Sequence, residues 1–245
     1  MKHQAPFWIQ PGDTSLTFPD AGLALREPDG LLAIGGDLEP DRLLSAYRQG
    51  IFPWYSADQP ILWWSPDPRT VIFPDRIQIS RSLRKTLRQG RFSVTLDRSF
   101  EAVLSACAAP RRSGSGTWIT PMMAAAYMRL HKLGFAHSVE CWQDQQLVGG
   151  LYGVALGRVF FGESMFSRVS DSSKVAFAQL ARQLHAWDFA LIDCQVYSSH
   201  LASLGAVTIA RSEFVKHLDR HCDRSDLQGP WSLDPHMLQQ MHQNW

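Results

Sequence analysis

The chain has 245 residues, which is enough for one large domain, or for a large and a small one, with an ample hydrophobic core. Its formal net charge of +1 excludes a molecule that attracts nucleic acid as a whole, so any such binding needs a local basic patch. The cysteines form no CxxC pair and no Cys/His spacing suited to zinc, and they are Cys107, Cys141, Cys194 and Cys222.

The beginning of the chain, residues 1–6, lacks the apolar region of a signal peptide. No stretch approaches the run of about 18 apolar residues that a membrane helix needs. We therefore expect a cytoplasmic protein with reduced thiols, without a metal site and without a membrane partner.

Residues 1–69 are dense in turn-forming residues and predict a small N-terminal domain with one clear helix. Pro40 stands near the start of this helix, and Glu39 and Asp41 lie in its first turn. Gly50 follows its end. Prolines and glycines cluster at four turns, at residues 28–30, 35–37, 50–53 and 66–68.

Residues 70–245 predict a larger domain of regular strands and helices. Thr120 is a good N-cap for a helix at residues 121–133, and Gly134 closes it. The later elements follow in order: strands at residues 137–142, 147–156 and 158–166, a helix at about 172–187 and a strand at 190–196. The short connections between the first three strands suit antiparallel hairpins. The fold class is therefore α/β (α+β) with a mixed, largely antiparallel sheet.

Glu163 is the unusual residue of the predicted strand at 158–166. Alternate residues of a strand share a face, so we expect Phe161, Glu163 and Met165 to point the same way. A carboxylate between two large apolar side chains is costly to bury and needs a partner or a purpose. A structural salt bridge and a functional carboxylate both stay open. Ser164 does not stand in a Gly-x-Ser-x-Gly motif, which argues against a nucleophile.

Asp193 and Gln195 are polar residues at the end of an otherwise apolar strand. They are two positions apart and are expected on one face, with Cys194 on the other. Strand ends with polar residues are common places for sites in α/β folds, but a solvated strand end explains them equally well. Cys194 is expected to be a small buried apolar residue, because nothing nearby in the sequence lowers its pKa.

Positive charge dominates one segment, in which no acidic residue occurs between Arg76 and Arg91. Four of its cations fall on one helical face, and they are Arg81, Arg84, Lys85 and Arg88. Such a face is usually only solvated, but in a protein of nearly neutral charge a patch without acids also suits phosphate contacts.

Four tryptophans stand in segments rich in glycine and proline, and they are Trp54, Trp63, Trp64 and Trp118. Such tryptophans can stack on unpaired nucleic acid bases, each stack being worth about 1–3 kcal/mol. Some of them are instead expected to pin a loop to the core, so the sequence does not decide which ones bind a ligand.

Together, these segments closely resemble the bacterial leucyl/phenylalanyl-tRNA–protein transferases over about residues 18–215. The matching runs occur in the same order, at residues 27–38, 50–54, 63–69, 116–120, 136–140, 147–150, 162–168, 191–195 and 203–206. The first fifteen or so residues and the tail beyond Leu218 do not resemble the family.

The resemblance implies a small N-terminal domain on a larger N-acetyltransferase-like domain. It implies transfer of Leu or Phe, and less well Met, from aminoacyl-tRNA to proteins with N-terminal Arg or Lys, which marks those proteins for degradation. A monomer without a cofactor is expected.

The resemblance also implies roles for individual residues. The catalytic positions are Glu163, Asp193 and Gln195. The positions that hold the terminal adenosine of tRNA are Trp54 and Trp118. The pocket for the aminoacyl side chain is formed by Leu151, Phe161 and Met165. The positions that hold tRNA phosphates are Arg81, Arg84, Lys85 and Arg88.

The implied reaction is attack by an α-amine on an ester that tRNA has already activated, so a carboxylate of ordinary pKa suffices. About a tenth of such amines are neutral near pH 7. Positioning of the two reactants can supply about 7–11 kcal/mol of the barrier. Asp193 is expected to orient Gln195 and the amine, Gln195 to donate to the developing oxyanion, and Glu163 to bind a cation. No step requires a metal, ATP or coenzyme A.

Two alternatives remain at this level. A coenzyme A-dependent N-acetyltransferase needs a pyrophosphate-binding turn before the helix at 172–187, but residues 167–171 contain no glycine and include Asp171. A non-enzymatic RNA-binding protein accounts for the basic face and the tryptophans. It leaves Glu163 and Asp193 unexplained.

Overall fold

The N-terminal part of the chain forms a four-stranded sheet with one α-helix. A computed structural model describes residues 5–110 and 117–239. The elements of this part are β1 (Phe7–Ile9), a 3-10 helix (Ala21–Leu23), β2 (Leu31–Gly35), α1 (Pro40–Arg48), β3 (Phe52–Pro53) and β4 (Leu62–Trp64). The strand order is β1-β2-β4-β3, with β1 and β2 parallel. Helix α1 confirms the predicted helix before Gly50.

The rest of the described chain forms a seven-stranded sheet with helices on both faces. Its first elements are β5 (Arg69–Ile72), a 3-10 helix (Pro74–Arg76), α2 (Arg81–Arg88), β6 (Ser93–Leu96), α3 (Phe100–Ala108) and α4 (Pro121–Lys132). The later elements are β7 (Ala136–Gln143), β8 (Gln146–Leu156), β9 (Val159–Ser167), α5 (Ser172–Ala186), β10 (Leu191–Gln195), α6 (Ser199–Ala202), β11 (Val207–Ile209), α7 (Arg211–His221) and α8 (Pro235–Gln239). The strand order is β11-β5-β10-β9-β8-β7-β6.

The predicted mixed, largely antiparallel sheet is confirmed. Strands β9 and β10 are parallel, and the other neighbouring strands of the described sheet are antiparallel. The turn between β7 and β8 has Asp144 and Gln145 both at positive φ, the conformation that suits a two-residue hairpin. The hydroxyl of Thr120 accepts from the backbone N–H of Met123 and caps α4, as predicted.

Two hydrophobic clusters lie on opposite faces of the seven-stranded sheet. One extends to the four-stranded sheet and includes Trp63, Tyr152 and Phe161. The other lies beneath α2 and α5 and includes Leu151 and Phe160. The first cluster contains residues from both sheets, so the two parts of the chain share a core. The domain boundary after residue 69 stays a prediction.

A β-bulge at Glu163 interrupts β9. Ser164 pairs with Tyr152 and Gly162 pairs with Gly153, which leaves Glu163 as the extra residue. A side chain at Gly153 would collide with the backbone oxygen of Phe161, since a Cβ there would lie 2.3 Å from it. The bulge shifts the alternation of side chains by one position. Phe161 and Met165 therefore face opposite clusters, and the prediction that they point the same way is wrong.

Other expectations concern cysteines and membranes. All four cysteines are buried free thiols. Within residues 5–110 and 117–239, no helix is long and apolar enough to span a bilayer, and no group of three or more potential metal ligands occurs. Residue 116, which begins the matching run 116–120, and the chain ends at 1–4 and 240–245 lie outside the described residues.

Candidate active site

Two tyrosine hydroxyls hold the carboxylate of Glu163. Tyr47 on α1 donates to Oε1 at 2.6 Å, and Tyr127 on α4 donates to Oε2 at 2.7 Å. The two hydroxyl oxygens lie 2.7 Å from each other. In the described part of the chain Glu163 forms no ion pair, so the interpretation as a structural salt bridge is wrong.

The pKa of Glu163 is raised to about 7. Burial is the largest cause, because it disfavours the charged carboxylate, and the negative charge of Asp193 acts in the same direction. The hydrogen bonds from Tyr127 and Tyr47 and the charge of Arg69 oppose the rise. Glu163 can therefore exchange a proton near neutral pH, although a carboxylate of ordinary pKa was expected to suffice.

Asp193 is fully buried and forms a two-point ion pair with Arg69. The guanidinium donates from Nε to Oδ1 at 2.8 Å and from Nη2 to Oδ2 at 2.7 Å. Arg69 also donates to the carbonyl of Gly50 at 3.0 Å and lies between the rings of Phe52 and Phe214. The alternative of a solvated strand end is wrong for Asp193, since its charge is neutralised in the core.

A second bulge, at the end of β10, sets the position of Gln195. The pairing with β5 shifts between Asp193 and Gln195, and Gln195 has a φ of 57°. Its backbone N–H donates to Oδ1 of Asp193 at 3.0 Å, and its side-chain amide donates to the carbonyl of Gly162 at 2.8 Å. The amide thus bridges β9 and β10 where the two strands separate. One further N–H of this amide remains to donate to a ligand.

A cavity of about 460 Å³ opens between β9 and β10. We call it the larger cavity, because a neighbouring cavity has a volume of about 250 Å³. Its apolar lining includes Leu151, Met165, Phe177 and Ile192, and its polar lining includes Ser167, Ser173, Ser198 and His200. Glu163 and Gln195 also line it. The structure therefore brings Leu151 and Met165, two of the three predicted pocket residues, to one apolar wall.

Phe161, the third predicted pocket residue, does not line the larger cavity. It is fully buried on the opposite side of the sheet, where its ring lies 5.0 Å from that of Tyr47. The bulge at Glu163 is the physical reason, because it places Phe161 and Met165 on different faces. In this position Phe161 supports the tyrosine that holds Glu163.

A second cavity of about 250 Å³, the smaller cavity, adjoins the larger one. It is lined by Phe52, Pro53, Trp54, Trp118, Glu163, Gln195 and Val196. Glu163, Gln195 and Val196 line both cavities. Asp193 lines neither, and it acts on the site through its contacts with Gln195 and Arg69. Two ligand groups can therefore occupy separate cavities and meet beside Glu163 and Gln195.

The four tryptophans named above have different surroundings, because two line the smaller cavity and one lies in the core. Trp54 is 46% exposed, and Trp118 is partly exposed beside it in the smaller cavity. Trp63 is fully buried and donates from its indole to the carbonyl of Gly35 at 2.9 Å. Trp64 supports the loop of Trp54 by donating to its backbone carbonyl at 2.6 Å. The exposed pair is the one available for stacking on a ligand.

The chain is similar to proteins of one transferase family. A family model described as leucyl/phenylalanyl-tRNA protein transferase matches residues 71–219, and the model of the N-terminal domain of that family matches residues 36–67. The chain belongs to this transferase family. A leucyl/phenylalanyl-tRNA–protein transferase of Cellvibrio japonicus is 62% identical over 211 residues, which cover 86% of this chain and 89% of the relative. That of Pseudomonas fluorescens SBW25 is 60% identical over 224 residues, with coverages of 91% and 98%.

The solved structures that partly resemble this family member are distant from it in sequence. One is a GCN5-related N-acetyltransferase from Kribbella flavida, with a TM-score of 0.35, 11% identity, and coverage of 70% of this chain and 61% of that one. Another is L-PGS from Bacillus licheniformis, with a TM-score of 0.37, 11% identity, and coverages of 70% and 57%.

The predicted phosphate-binding face of this transferase lies on α2, outside both cavities. The four cations Arg81, Arg84, Lys85 and Arg88 are exposed and line an open depression together with Gln89. Leu83 and Leu87 are buried beneath them. Ser80 caps the helix by accepting from the N–H of Leu83 at 3.2 Å. The structure places the cations together, and their role stays a prediction.

Cys194 and Ser164 line the larger cavity, but neither has the environment of a nucleophile. Burial raises the pKa of the Cys194 thiol, and the charge of Asp193 adds to this effect, so the reactive thiolate is disfavoured. Within the described residues, the Ser164 hydroxyl has no hydrogen bond to a base. Both observations agree with the sequence-based interpretation.

Three residues that hold the carboxylates of the site were not predicted from the sequence, and they are Tyr47, Arg69 and Tyr127. The two tyrosines stand in ordinary amphipathic helices, where nothing in the sequence separates them from core residues. Arg69 had a signal, since an aspartate in a buried strand requires a cation and Arg69 ends the matching run 63–69. That signal predicts that a cation is needed beside Asp193, but it does not show which cation of the chain lies there.

Proposed function

We propose that this chain transfers Leu or Phe, and less well Met, from aminoacyl-tRNA to the N-terminal Arg or Lys of an acceptor protein. One observation carries the proposal: an apolar cavity and a tryptophan-lined cavity meet at Glu163 and Gln195. This is the arrangement that an aminoacyl ester of adenosine requires. The amino-acid side chain and the nucleoside lie on either side of the ester. Family membership supports the same reaction.

The aminoacyl-tRNA is bound by three surfaces in this proposal. The terminal adenosine stacks between Trp54 and Trp118, because exposed indoles bind bases of any sequence. The amino-acid side chain enters the larger cavity against Leu151 and Met165, whose apolar surface suits Leu, Phe and Met. The phosphates of the tRNA lie on the exposed face of α2.

The chemical step joins the acceptor's α-nitrogen to the ester's carbonyl carbon, and the bond from that carbon to the ribose oxygen breaks. The proton that leaves the amine ends on the ribose oxygen. An α-amino group has a pKa of about 7.7–8.0, close to that of Glu163, so Glu163 accepts this proton and returns it. The ester is already activated, and the reaction needs no metal, ATP or coenzyme A.

Gln195 stabilises the oxyanion in this proposal. Its side-chain amide has one N–H bound to the carbonyl of Gly162, and the second is directed to the ester carbonyl oxygen. Asp193 and Arg69 are positioning residues, because they hold the backbone of Gln195 from the core. This assignment differs from the expectation that Asp193 itself orients the amine.

Glu163 also attracts the positively charged N-terminus of the acceptor before the amine loses its proton. Glu163 is the carboxylate among the residues that line the two cavities, so a positive group is favoured beside it. The modified protein then carries Leu or Phe at its N-terminus and is marked for degradation. We further propose that the protein acts as a monomer in the cytoplasm.

A coenzyme A-dependent acetyltransferase is less compatible with the structure. Such an enzyme places a pyrophosphate at the N-terminus of the helix that follows β9. Here Asp171 occupies the N-cap of α5 in a left-handed conformation, and its carboxylate accepts from the hydroxyl of Thr86 at 3.1 Å. A negative charge at that place repels a pyrophosphate.

The proposed activity is tested by mixing the protein with Leu-tRNA or Phe-tRNA, labelled in the amino acid, and a peptide that begins with Arg. Label is expected in the peptide, and a matched peptide that begins with Glu is expected to stay unlabelled. Absence of label from the Arg peptide would refute the proposal. A requirement for acetyl-coenzyme A would favour the acetyltransferase. Binding of tRNA without transfer would favour a non-enzymatic RNA-binding protein.

A further inference from the structure

Strand β9 loses one of its two neighbours where the larger cavity begins. Its antiparallel partner β8 stays paired with it through Ser167. Its parallel partner β10 is paired only through Phe161, opposite Asp193. The next carbonyl on that side, that of Gly162, is occupied by the side chain of Gln195. Beyond this point the edge of β9 that faces β10 has no strand beside it in the described chain.

The backbone groups at this edge can be assigned. The N–H of Arg168 donates to the carbonyl of Val148 at 2.7 Å, which makes Ser167 and Gly149 a non-hydrogen-bonded pair. The N–H and C=O of Ser167 therefore point away from β8. By alternation, those of Met165 do the same. Both residues also line the larger cavity, so this open edge of β9 lies beside it.

We infer that the acceptor polypeptide binds in extended conformation along this edge, from Met165 to Ser167, as a short strand parallel to β9. This inference rests on the proposed function. An edge that presents N–H and C=O at alternate residues matches another polypeptide main chain. A nucleic acid strand carries no such repeat, and the aminoacyl group is too short to span two residues of β9.

The direction of the added strand follows from the position of the reaction. The acceptor's N-terminal amine lies beside Glu163 and Gln195, where the two cavities meet. The residues after it must run outward from the reaction centre, and β9 also runs outward from Glu163 to Ser167. The acceptor main chain thus continues the sheet in the place that β10 leaves. The aminoacyl side chain lies instead on the face of the sheet that carries the side chains of Leu151 and Met165. Main-chain bonds of this kind explain how one site accepts many proteins that differ after their first residue.

The inference is tested with acceptor peptides that are N-methylated at one position each. A strand bonds to its neighbour at alternate residues, so methylation at one of residues 2 and 3 is expected to raise the acceptor KM about tenfold, and methylation at the other is expected to have little effect. A peptide methylated at residue 8, beyond the edge, is the matched control. Equal effects at residues 2 and 3, or none, would overturn the inference.

The protein side is tested with Ser167→Pro, which removes the N–H of this residue, and Ser167→Ala, which keeps it. The acceptor KM of Ser167→Pro is expected to exceed that of Ser167→Ala at least threefold, with the same KM for Phe-tRNA. If the KM for Phe-tRNA rises instead, the edge binds tRNA and the inference fails. Transfer to the unmodified peptide is measured first, because its absence would refute the proposed function itself.

Discussion

Glu163 shows how the surroundings of one side chain set its chemistry. Its carboxylate is partly buried where the two cavities meet, and this burial raises its pKa to about 7, yet two tyrosine hydroxyls bind both of its oxygens. Burial favours the protonated form and the hydrogen bonds favour the charged form. The balance leaves a group that changes its charge within the physiological range, as a general base at neutral pH requires.

The pH dependence of transfer is expected to report this pKa. As pH falls through about 7, Glu163 gains a proton and can no longer accept one from the amine, so kcat decreases. In Glu163→Gln we expect kcat to fall about 100-fold, and the decrease near pH 7 should disappear from the pH–rate profile. Only the dependence on the α-amine, at a pH of about 7.7–8.0, should remain. Single-turnover rates from pH 5.5 to 9 measure both effects. An unchanged profile in Glu163→Gln would exclude a base role.

Tyr47 and Tyr127 are expected to affect the pH at which activity falls. Their hydrogen bonds lower the pKa of Glu163, so Tyr47→Phe or Tyr127→Phe raises it and moves the activity limb to higher pH. Tyr55→Phe is the matched control, because Tyr55 is buried and its hydroxyl has no hydrogen-bond partner in the described structure. The same pH–rate measurement tests this prediction. If the activity of both variants falls at the same pH as that of the unaltered protein, the assignment is contradicted.

The Asp193–Arg69 pair requires a test that separates stability from activity. Asp193→Ala leaves the buried guanidinium of Arg69 without its partner, and we expect a loss of about 3–5 kcal/mol in the free energy of unfolding. Replacing both residues, as in Arg69→Met with Asp193→Leu, is expected to restore most of that stability, because an apolar pair carries no desolvation cost. Urea unfolding measures these differences.

Transfer is expected to stay at least tenfold reduced in the double variant, since Gln195 then loses the carboxylate that holds its backbone. Binding of Phe-tRNA, measured separately, should be retained. Full activity in the stable double variant would show that the pair serves folding only.

At the scale of single elements, two bulges build the site. The bulge in β9 turns Glu163 toward the tyrosines, and the shift at the end of β10 brings Gln195 to the gap between the strands. Each adds one residue and re-aims the side chains that follow. Regular strands would place Met165 on the same face as Phe161 and remove it from the larger cavity.

Helix α2 carries a prediction that concerns tRNA binding. Neutralising Arg84 and Arg88 with glutamine is expected to weaken binding. The slope of log K against log salt concentration should become shallower by about one for each tRNA phosphate that the variant no longer neutralises. Lys216 and Arg220 are exposed cations on α7 and provide a matched control pair. Binding titrations at several salt concentrations decide. An equal decrease in both pairs would indicate a general charge effect, and no decrease would indicate a merely solvated face.

At the scale of the whole molecule, the site lies where the two sheets share a core. Trp54 follows β3 of the four-stranded sheet, and Tyr47 comes from α1 in the same part of the chain. Glu163 and Gln195 come from the seven-stranded sheet. A hydrophobic cluster that contains residues of both parts holds them together. Trp54 and Tyr47 on the one hand, and Glu163 and Gln195 on the other, thus come from different parts of the chain.

The sequence by itself determined the helices α1, α4 and α5, the three-strand meander and the mixed sheet, and it selected Glu163, Gln195, Trp54 and Trp118, which the structure brings to one pair of cavities. Hydrophobic periods, caps and turn residues are local signals, and matching runs identify a family without coordinates. The strands of the N-terminal sheet were missed because they are two to five residues long, too short for a period to be visible.

Only the tertiary structure decided the raised pKa of Glu163, the burial of Asp193 against Arg69 and the separation of Phe161 from Met165. Each depends on contacts between residues far apart in the chain, or on a one-residue bulge that alternation in the sequence does not reveal. Burial and strand register are properties of the packed molecule, and they set both the charge of a carboxylate and the face on which a side chain lies.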